Sequence, residues 1–384
     1  MKIAIVGIGG TGSAAARHLA KAGHEVIGFE QFRLGHDRGS SHGESRVIRY
    51  TYPDRLYTEM MGDAYPLWDE LAAEAGEELL VRCGGLYFGQ PTNANIIETE
   101  DALSASGIVY EKLGLEAIQE RYPAVRLNPG EIGIYQSDMG FLRANVCVLA
   151  NARLARQHGA TLHEETPVQE IISRGNETVI RTEAGAEFAA DRVIVTAGAW
   201  MSKLFARLDL PLCVSRQQFV YLKPARHPEN FAVGRLPVWI DAATNYYGFP
   251  SDGRIEGVKI ACHNTGDTVD PDVLRRESDA SYQQETIAYV ASRLPDLSGE
   301  VTHAKICLYT NTPDEDFIID RDPSNANVWI ISGCSGHGFK FTVLLGKIAA
   351  GLATEEPYAR DLSRFLLNRF DGKDRSAMTF ANSL

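Results

Sequence analysis

Three glycines near the N-terminus have the spacing that a bound dinucleotide requires. Gly7, Gly9 and Gly12 form a G-x-G-x-x-G pattern directly after the apolar run at residues 2–6. In this pattern the first glycine allows a tight turn, the second lets a pyrophosphate approach the backbone, and the third lets a helix pack closely on the sheet. The amides at the start of that helix face the phosphates. Glu30 ends the next apolar run, where its carboxylate can accept both hydroxyls of an adenosine ribose.

The order of strand, glycine turn, helix, strand and acid makes this fingerprint more specific than a glycine-rich turn alone. The competing interpretation is a plain structural turn, because such turns join strands to helices in many folds. Glu30 argues against a 2′-phosphate on the ribose, so NADP is not expected. The fingerprint does not separate NAD from FAD, and an NAD-dependent dehydrogenase stays open at this point.

A second glycine turn, near the C-terminus, places a lysine where an anion could bind. Gly336 and Gly338 flank His337, and a helix is predicted over residues 339–353. Lys340 falls in its first turn, where a cation is unfavourable by roughly 0.3–1 kcal/mol because the helix N-terminus carries partial positive charge. Either the lysine points to solvent, or the turn binds an anion such as a substrate carboxylate or an electron-rich flavin ring.

A basic, turn-rich segment follows the ribose acid. Residues 33–49 contain four arginines and two histidines but only two acidic residues, in a chain whose net charge is −12. One interpretation is a solvated loop that leads into a helix. The other is a loop beneath the cofactor, in which Ser41 and His42 contact phosphates or flavin while Arg46 and Arg49 enter the active site. If this part is helical, the two arginines share a face.

Three further side chains, those of Cys307, Lys259 and His263, could take part in catalysis or could be purely structural. Cys307 lies in an apolar strand, where a cysteine is usually filler. Lys259 and His263 are four residues apart in a predicted strand, so they face the same side of a sheet. An isolated lysine or histidine of this kind is more often a surface residue. Residue types alone therefore leave these three positions structural.

Composition limits the class of protein. The 384 residues are 44% hydrophobic and 23% charged, which is typical of a soluble globular enzyme of two to three domains. The acidic balance disfavours nucleic acid and anionic membranes as partners, and no apolar run is long enough to span a bilayer. Six cysteines without a C-x-x-C pair argue against a zinc site and a disulfide framework. We therefore expect a cytoplasmic enzyme without a secretory leader and without a metal.

Periodicity predicts helix-and-sheet organisation at both ends of the chain and a β-rich middle. The predicted helices cover residues 11–22, 56–75, 96–107, 115–121, 145–158, 272–294 and 339–353. The predicted strands cover residues 2–6, 25–30, 82–88, 133–136, 166–172, 178–182, 187–190, 192–200, 214–222, 237–241, 246–249, 257–263, 303–309, 317–320 and 328–332. This order indicates a cofactor domain that is assembled from separated segments.

Seven stretches together resemble the monomeric sarcosine oxidase and N-methyltryptophan oxidase family of FAD-dependent amine oxidases. The resemblance spans nearly the whole chain in the same order and includes Gly7–Gly12, Gly39–Arg49, Thr196–Trp200, Tyr246–Pro250, Cys307–Thr310, Asp316–Asp320 and Ser335–Lys340. It implies FAD rather than NAD as the cofactor.

The resemblance also implies an α/β fold with two domains. A doubly wound, Rossmann-like FAD-binding domain is expected from residues 1–83, 137–210 and 312–384. A substrate domain with an antiparallel sheet is expected from residues 84–136 and 211–311.

The family assigns a role to each matching residue. Cys307 is expected to form a thioether to a methyl group of the flavin ring. Arg49 and Lys340 are expected to bind the substrate carboxylate. Lys259 matches the lysine that promotes the reaction of reduced flavin with dioxygen.

The remaining assignments concern residues that surround the substrate and the flavin. Tyr247, Tyr309 and His263 are expected to line the substrate pocket, and His42 and Arg46 to lie against the flavin ring, where positive charge favours the anionic reduced form. Lys259, His263, Arg46 and His42 form the expected catalytic set. The expected cofactor-binding set is Gly7, Gly9, Gly12, Glu30, Ser41, His42, Val168, Gly198, Cys307, Gly336, Gly338, Phe339 and Lys340.

The predicted reaction is the oxidation of a secondary, N-methyl or N-alkyl amino acid by dioxygen, with release of hydrogen peroxide by a monomer. Two departures from sarcosine oxidases, Ser45 in place of a threonine and Ser41 in place of a histidine, leave the particular substrate open. One alternative is a deglycating fructosyl amino acid oxidase, which uses the same apparatus on a bulkier amine. Another is a flavin-binding sensor or non-catalytic subunit of a larger oxidase.

Overall fold

The strands alternate with helices at the ends of the chain and follow one another in the middle. The computed structural model describes residues 1–175, 177–263, 266–356, 358–372 and 380, so the last part of the predicted 312–384 segment lies outside the described residues. The strands are β1 (Lys2–Val6), β2 (Glu25–Phe29), β3 (Arg46–Ile48), β4 (Leu80–Arg82), β5 (Gly85–Gly89), β6 (Glu111–Gly114), β7 (Ile132–Gln136), β8 (Gly140–Leu142), β9 (Thr161–His163), β10 (Val168–Arg174), β11 (Glu177–Thr182), β12 (Glu187–Ala190), β13 (Arg192–Val195), β14 (Cys213–Pro224), β15 (Val238–Asp241), β16 (Tyr246–Gly248), β17 (Val258–Cys262), β18 (Asp267–Thr268), β19 (Leu297–Asn311), β20 (Ile318–Asp322) and β21 (Asn325–Ser332).

The longest helix shows why the helices begin and end where they do. Its N-cap, Asp54, accepts a hydrogen bond from the Leu56 amide, and Gly76 ends it in the left-handed conformation that glycine adopts without strain. The helices are α1 (Gly10–Lys21), α2 (Arg55–Ala75), α3 (Ala94–Ala105), α4 (Leu115–Arg121), α5 (Ala144–Gln157), α6 (Met201–Leu204), α7 (Ala280–Arg293) and α8 (Thr342–Ala353).

A six-stranded, mainly parallel sheet carries the N-terminal glycine turn. Its strand order is β20-β21-β13-β1-β2-β9, with only β20 antiparallel to its neighbour. Helices α1, α5 and α8 pack on one face, and the small sheet β10-β11-β12 contributes Ile180 and Ala190 to the core on the other face. Because β1 is covered on both sides, Ile3, Ala4 and Ile5 are fully buried. The predicted Rossmann-like α/β architecture is observed here.

A second, nine-stranded sheet lies beside the parallel sheet. Its path is β18-β14-β17-β16-β15-β5-β7-β6, and the long strand β19 pairs with β14. Neighbouring strands are antiparallel except for β15 and β5. One face is covered by α4 and α7, which contribute Ile118 and Val290 to its core, together with Leu294, the C-cap of α7. The opposite face carries Lys259 and Tyr247, residues expected at the active site. The domain boundaries themselves stay a prediction.

The segment before α7 differs from its predicted form. The sequence pattern predicts a helix over residues 272–294, but α7 begins only at Ala280. Side chains of β14 bind the preceding backbone: the Gln218 side-chain oxygen accepts the Asp279 amide at 2.7 Å, and Arg216 Nε donates to the Arg275 carbonyl at 2.9 Å. These tertiary hydrogen bonds replace the helical ones, so the prediction is wrong for residues 272–279.

The basic segment is also extended rather than helical. Arg46 begins β3, which pairs with β8 in a small sheet that β4 completes. The possibility that Arg46 and Arg49 share a helical face is therefore wrong. The predicted helix over residues 339–353 starts as a 3₁₀ turn, Gly338–Phe341, before α8.

Candidate active site

The N-terminal glycine turn brings three backbone segments into close approach. Gly7 has φ of +90°, and a Cβ placed there would lie 2.6 Å from the Thr196 carbonyl oxygen. A Cβ on Gly12 would lie 1.9 Å from the Gly7 carbonyl oxygen, which is a direct overlap. Gly9 is the N-cap of α1 and offers no side chain to its first amides. The turn therefore presents bare backbone at a helix N-terminus, as a phosphate-binding turn does.

A cavity of about 500 Å³, here called the cofactor cleft, opens from this turn. Glu30 lies in its wall with only 5% exposure. The carboxylate accepts the Ile8 amide at 3.0 Å and the Phe32 amide at 3.1 Å, so its orientation is fixed. The other lining residues include members of the expected cofactor set: Gly7, Gly9, Ser41, Val168 and Gly198.

A smaller cavity of about 110 Å³, the junction cavity, continues from the cofactor cleft. Gly9 and Ser41 line both cavities, and Ser41 Oγ accepts the Gly10 amide at 3.0 Å. The far wall is the C-terminal glycine turn, with Gly336, Gly338 and Phe339. The two glycine turns, more than three hundred residues apart in sequence, therefore face one continuous space.

A third cavity, the cationic pocket, adjoins the junction cavity and has a volume of about 70 Å³. Arg46, Tyr309, Gly336 and Phe339 line both. Five basic side chains contribute to the pocket wall, whereas none of its described lining residues is acidic. The lining residues are Ser45, Arg46, Val47, Arg49, Ile240, Asn245, Tyr247, Phe249, His263, Tyr309, Gly336, His337, Phe339 and Lys340.

Arg49 and Lys340 lie in this one pocket although they are far apart in sequence. Arg49 is 6% exposed and donates through Nη1 to the Thr51 carbonyl oxygen. Lys340 is 5% exposed, and burial, followed by the positive charge of Arg49, lowers the pKa of its ammonium group well below the usual value. A bound anion would offset both causes, so the pair is suited to a carboxylate.

His263 is a neutral side chain in the same pocket. Burial lowers its pKa to about 3, and Arg49 and Lys340 contribute in the same direction. Its Nε2 is buried and has no hydrogen-bond partner among the described residues. A neutral imidazole with an unsatisfied nitrogen is suited to a ligand group that enters the pocket.

Two tyrosines, Tyr247 and Tyr309, add uncharged side chains to the pocket wall. Burial raises the pKa of Tyr247 to about 12 and that of Tyr309 well above its usual value. The ring of Tyr309 lies 5.3 Å from that of His263. Both phenols therefore stay protonated at neutral pH and can offer hydrogen bonds but no negative charge.

His42 lies on the loop before β3, and Arg46 begins that strand. Arg46 donates to the Ser45 carbonyl at 3.0 Å and to the Ser40 carbonyl at 3.2 Å, which fixes the guanidinium across the loop. His42 is buried, and burial together with Arg46 lowers its pKa to about 3. Its Nε2 also lacks a partner among the described residues. His42 does not line any of the three cavities.

Lys259 and Cys307 lie just behind the cavity walls rather than in them. Lys259 Nζ donates to the Ser45 carbonyl at 2.9 Å and to Ser45 Oγ at 3.2 Å, and burial lowers its pKa well below the usual value. Burial raises the pKa of the Cys307 thiol, while Arg46 and Lys259 act in the opposite direction. Cys307 therefore lies beside two cations, not in the inert apolar setting that its strand suggests.

A sequence model described as FAD dependent oxidoreductase matches residues 2–352. The chain belongs to this family. The cofactor cleft fits FAD on its own geometry, because its glycine turn presents bare backbone at the N-terminus of α1 and the orientation of the Glu30 carboxylate in its wall is fixed. The prediction of an FAD-dependent enzyme is confirmed.

Individual members of the family are similar over almost the whole chain. Monomeric sarcosine oxidase of Bacillus sp. (strain NS-129) is 34% identical over 377 residues, which cover 96% of each protein. N-methyl-L-tryptophan oxidase of Salmonella arizonae is 33% identical, covering 95% of this chain and 98% of the relative. NikD, an unusual amino acid oxidase essential for nikkomycin biosynthesis, shares the fold with a TM-score of 0.84 at 24% identity over 95% and 96% of the two chains. The predicted family resemblance and fold class are confirmed.

Several residues of this flavoprotein's pocket are absent from the sequence-based assignment. Asn245 lines the pocket from a turn without a recognisable motif, and Tyr52 lies behind the wall, where its hydroxyl contacts Lys340. Phe249 lies in the stretch Tyr246–Pro250 but was assigned no role. His337 had a signal, because it lies between the two glycines of the second turn. Among the described residues no cluster of metal-ligating side chains occurs, and no helix has the length and apolar character needed to cross a membrane.

Proposed function

We propose that this FAD-dependent oxidoreductase oxidises a secondary amino acid, with an N-methyl or N-alkyl substituent, and uses dioxygen as acceptor. The observation that supports this most strongly is the cationic pocket, where Arg49 and Lys340 lie together without an acidic partner in the wall. A free amino acid supplies the missing carboxylate. Relatives named as oxidases of sarcosine and N-methyl-L-tryptophan support the same substrate class.

The carboxylate of the substrate binds between Arg49 and Lys340. Arg49 commits Nη1 to Thr51 and has further N–H donors for the ligand, because a guanidinium group carries five. The amine then lies toward His263 and the two tyrosines. Since His263 is neutral and surrounded by cations, the pocket favours a free amine over an ammonium group, and a free amine has the lone pair that the oxidation requires.

The oxidation converts the carbon–nitrogen single bond into an imine, which water hydrolyses. FAD bound in the cofactor cleft would supply the acceptor for the hydride equivalent and the route for its electrons to dioxygen, with hydrogen peroxide as the product. Arg46 lies where the junction cavity meets the cationic pocket, and its positive charge favours negative charge in the cofactor ring. His42 is buried outside the three cavity walls, and its proposed role is to lie with Arg46 against the cofactor ring.

Lys259 and Cys307 are assigned to the cofactor rather than to the amino acid. Lys259 approaches Ser45, a residue of the pocket wall, and its buried amine is placed to promote the reaction with dioxygen. Cys307 precedes Leu308 and Tyr309, which both line the junction cavity, and its thiol is proposed to bind the flavin covalently. Burial raises the pKa of this thiol, while the basic side chains of Arg46 and Lys259 act in the opposite direction, toward the thiolate that such bond formation requires.

The size of the cationic pocket favours a small substrate. A water molecule needs roughly 10–15 Å³ of such cavity volume, so about 70 Å³ accommodates only a few heavy atoms beyond the carboxylate. A fructosyl group is larger than this volume and would have to extend beyond the cationic pocket. The deglycating activity is therefore the weaker of the two candidates.

A peroxide-coupled assay of the purified yellow protein tests this proposal. We expect peroxide formation with sarcosine or another small N-methyl amino acid, and much less with fructosyl-glycine. Turnover of fructosyl-glycine alone would favour the deglycating alternative. Absence of peroxide with every N-substituted amino acid, in a protein that retains FAD, would favour a non-catalytic flavin-binding role.

A further inference from the structure

Lys340 donates hydrogen bonds to two buried residues, Tyr52 and His337, that have no role in the proposed reaction. Its Nζ lies 2.8 Å from Tyr52 Oη and 2.9 Å from the His337 carbonyl oxygen. Tyr52 is fully buried and His337 is 5% exposed. Neither residue belongs to the expected catalytic, substrate-binding or cofactor-binding sets.

Only one assignment of donors and acceptors satisfies all the hydrogen bonds around His337. Its Nε2 lies 3.0 Å from the Glu315 carbonyl oxygen, which can only accept, so Nε2 carries the proton. A neutral imidazole has a single N–H, and burial lowers the pKa of His337 well below its usual value. Its Nδ1 must therefore accept from the Tyr52 hydroxyl at 3.2 Å. The Tyr52 oxygen is then left to accept from Lys340.

This assignment of donors and acceptors leaves one N–H donor of Lys340 without a partner among the described residues. In the ammonium form that a bound carboxylate favours, the lysine has three N–H donors. One goes to Tyr52 and one to the His337 carbonyl, and the third has no partner among the described residues. Lys340 lines the cationic pocket, so the remaining donor is available to a ligand there.

Tyr52 also contacts the second cation of the pair. The Arg49 guanidinium carbon lies 4.6 Å from the centroid of the Tyr52 ring, and Lys340 Nζ lies 5.1 Å from the same centroid. The negative face of an aromatic ring attracts cations. One ring therefore contacts both positive groups and partly offsets their repulsion in a pocket whose described wall contains no carboxylate.

We propose that Tyr52, oriented by His337, is a positioning residue that sets the spacing of Arg49 and Lys340 and directs the free Lys340 donor toward the substrate carboxylate. This inference rests on the proposed function, since it assumes that the pair binds a carboxylate. Tyr52 acts on substrate binding and does not touch the atoms that react.

Titration of the holoenzyme with acetate, followed through the flavin absorbance spectrum, tests the inference. Acetate presents the carboxylate alone, and acetamide is its uncharged counterpart. We expect Tyr52→Phe to weaken acetate binding about tenfold, because the hydrogen bond that orients a charged group is lost. Acetamide binding stays unchanged. With sarcosine, KM rises while the limiting rate of flavin reduction changes little.

Tyr57→Phe is the matched control. Tyr57 is a buried tyrosine whose ring also packs against His337 and Phe341, but its hydroxyl binds Asp316 at 2.8 Å instead of Lys340. Loss of the Tyr57 hydroxyl should leave the affinity for acetate the same as in the unmodified enzyme. His337→Asn keeps an acceptor at the Nδ1 position and should retain most of the affinity, whereas His337→Leu removes it and should resemble Tyr52→Phe.

The outcomes separate this inference from the proposed function. If the unmodified enzyme binds acetate more tightly than acetamide and Tyr52→Phe does so equally well, the positioning role is overturned and the carboxylate site remains. If the unmodified enzyme does not distinguish the two ligands, the carboxylate site itself is overturned. If Tyr52→Phe fails to retain FAD, the comparison of His337→Asn with His337→Leu replaces it. Equal acetate affinities of these two variants would overturn the positioning role of Tyr52.

Discussion

The cofactor cleft and the cationic pocket adjoin each other but are built in opposite ways. The cleft opens from a bare glycine turn at a helix N-terminus and has the fixed carboxylate of Glu30 in its wall. The pocket is formed by long side chains from separate segments, whose positive charges have no acidic partner in the described wall. Recognition in the cleft is therefore chiefly steric, and recognition in the pocket is chiefly electrostatic. Changes of shape should damage the first region most, and changes of charge the second.

The largest effect is expected from a single methyl group inside the glycine turn from which the cleft opens. Gly12→Ala places a Cβ 1.9 Å from the Gly7 carbonyl oxygen, so the turn and α1 must separate. We expect loss of bound FAD and destabilisation by about 3 kcal/mol, measured as flavin content and urea unfolding. Gly62→Ala in α2 meets no atom within 4 Å and should instead stabilise the protein by up to about 1 kcal/mol. Normal flavin content in Gly12→Ala would contradict the steric account.

The second test concerns the bond between protein and cofactor. Cys307→Ser should abolish covalent attachment, so that acid precipitation leaves the yellow colour in the supernatant. Cys334→Ser is the matched control, because Cys334 lines the junction cavity and burial alone raises the pKa of its thiol to about 11. Acid-stable colour in the Cys307→Ser precipitate would refute the assignment.

A change of charge without loss of bulk tests the cationic pocket. Arg49→Met should weaken binding of the amino acid roughly a hundredfold, because a buried charge contact is removed. Flavin content should stay normal, since Arg49 does not line the cofactor cleft. Arg226→Met, at an exposed ion pair with Asp296, serves as control. Unchanged KM in the Arg49 variant would show that the electrostatic contrast is wrong.

Replacement of Lys259 tests whether the reoxidation of flavin by dioxygen depends on different residues from the reduction of flavin by the amino acid. Lys259→Met should slow reoxidation of the reduced flavin, roughly a hundredfold for the loss of one buried cation, and affect flavin reduction much less. Stopped-flow measurement of the two half-reactions distinguishes these steps. Lys223→Met, an exposed position of β14, should affect neither. Equal slowing of both half-reactions would remove the assigned role.

The smallest effect is on stability at acidic pH. His263 and His42 have folded-state pKa values of about 3, below the usual 6.5, so the unfolded chain binds protons first as the pH falls. The free energy of unfolding should therefore decrease between pH 6.5 and about 3. Each histidine contributes a slope of up to about 1.4 kcal/mol per pH unit. His263→Asn should reduce the slope of urea-unfolding energies between pH 6 and 5, and an unchanged slope would contradict neutral burial of this side chain.

The contrast between the two regions also explains what the sequence alone could predict. The cleft depends on neighbouring residues, so the pattern from Gly7 to Glu30 sufficed to predict its strand, turn and helix. The pocket depends on side chains that only the fold brings together. Family motifs assigned Arg49 and Lys340, but Tyr52 has no motif, and nothing in its local sequence indicates that it contacts both cations.

The wrong local predictions have the same physical origin. Residues 272–279 have a helical pattern, yet Gln218 and Arg216 of β14 bind their backbone from a distant part of the chain. Arg46 lies in an extended strand because β8 provides its hydrogen-bonding partner. Tertiary hydrogen bonds of this kind override local propensity and have no local signal.

The central claim is that the pocket beside the flavin selects an amine through its carboxylate. Anaerobic titration with sarcosine and with dimethylamine, which lacks the carboxylate, tests this most directly. We expect sarcosine to bleach the oxidised flavin absorbance and dimethylamine at the same concentration to leave it unchanged. Equal bleaching by the two amines, or bleaching by dimethylamine alone, would contradict the account.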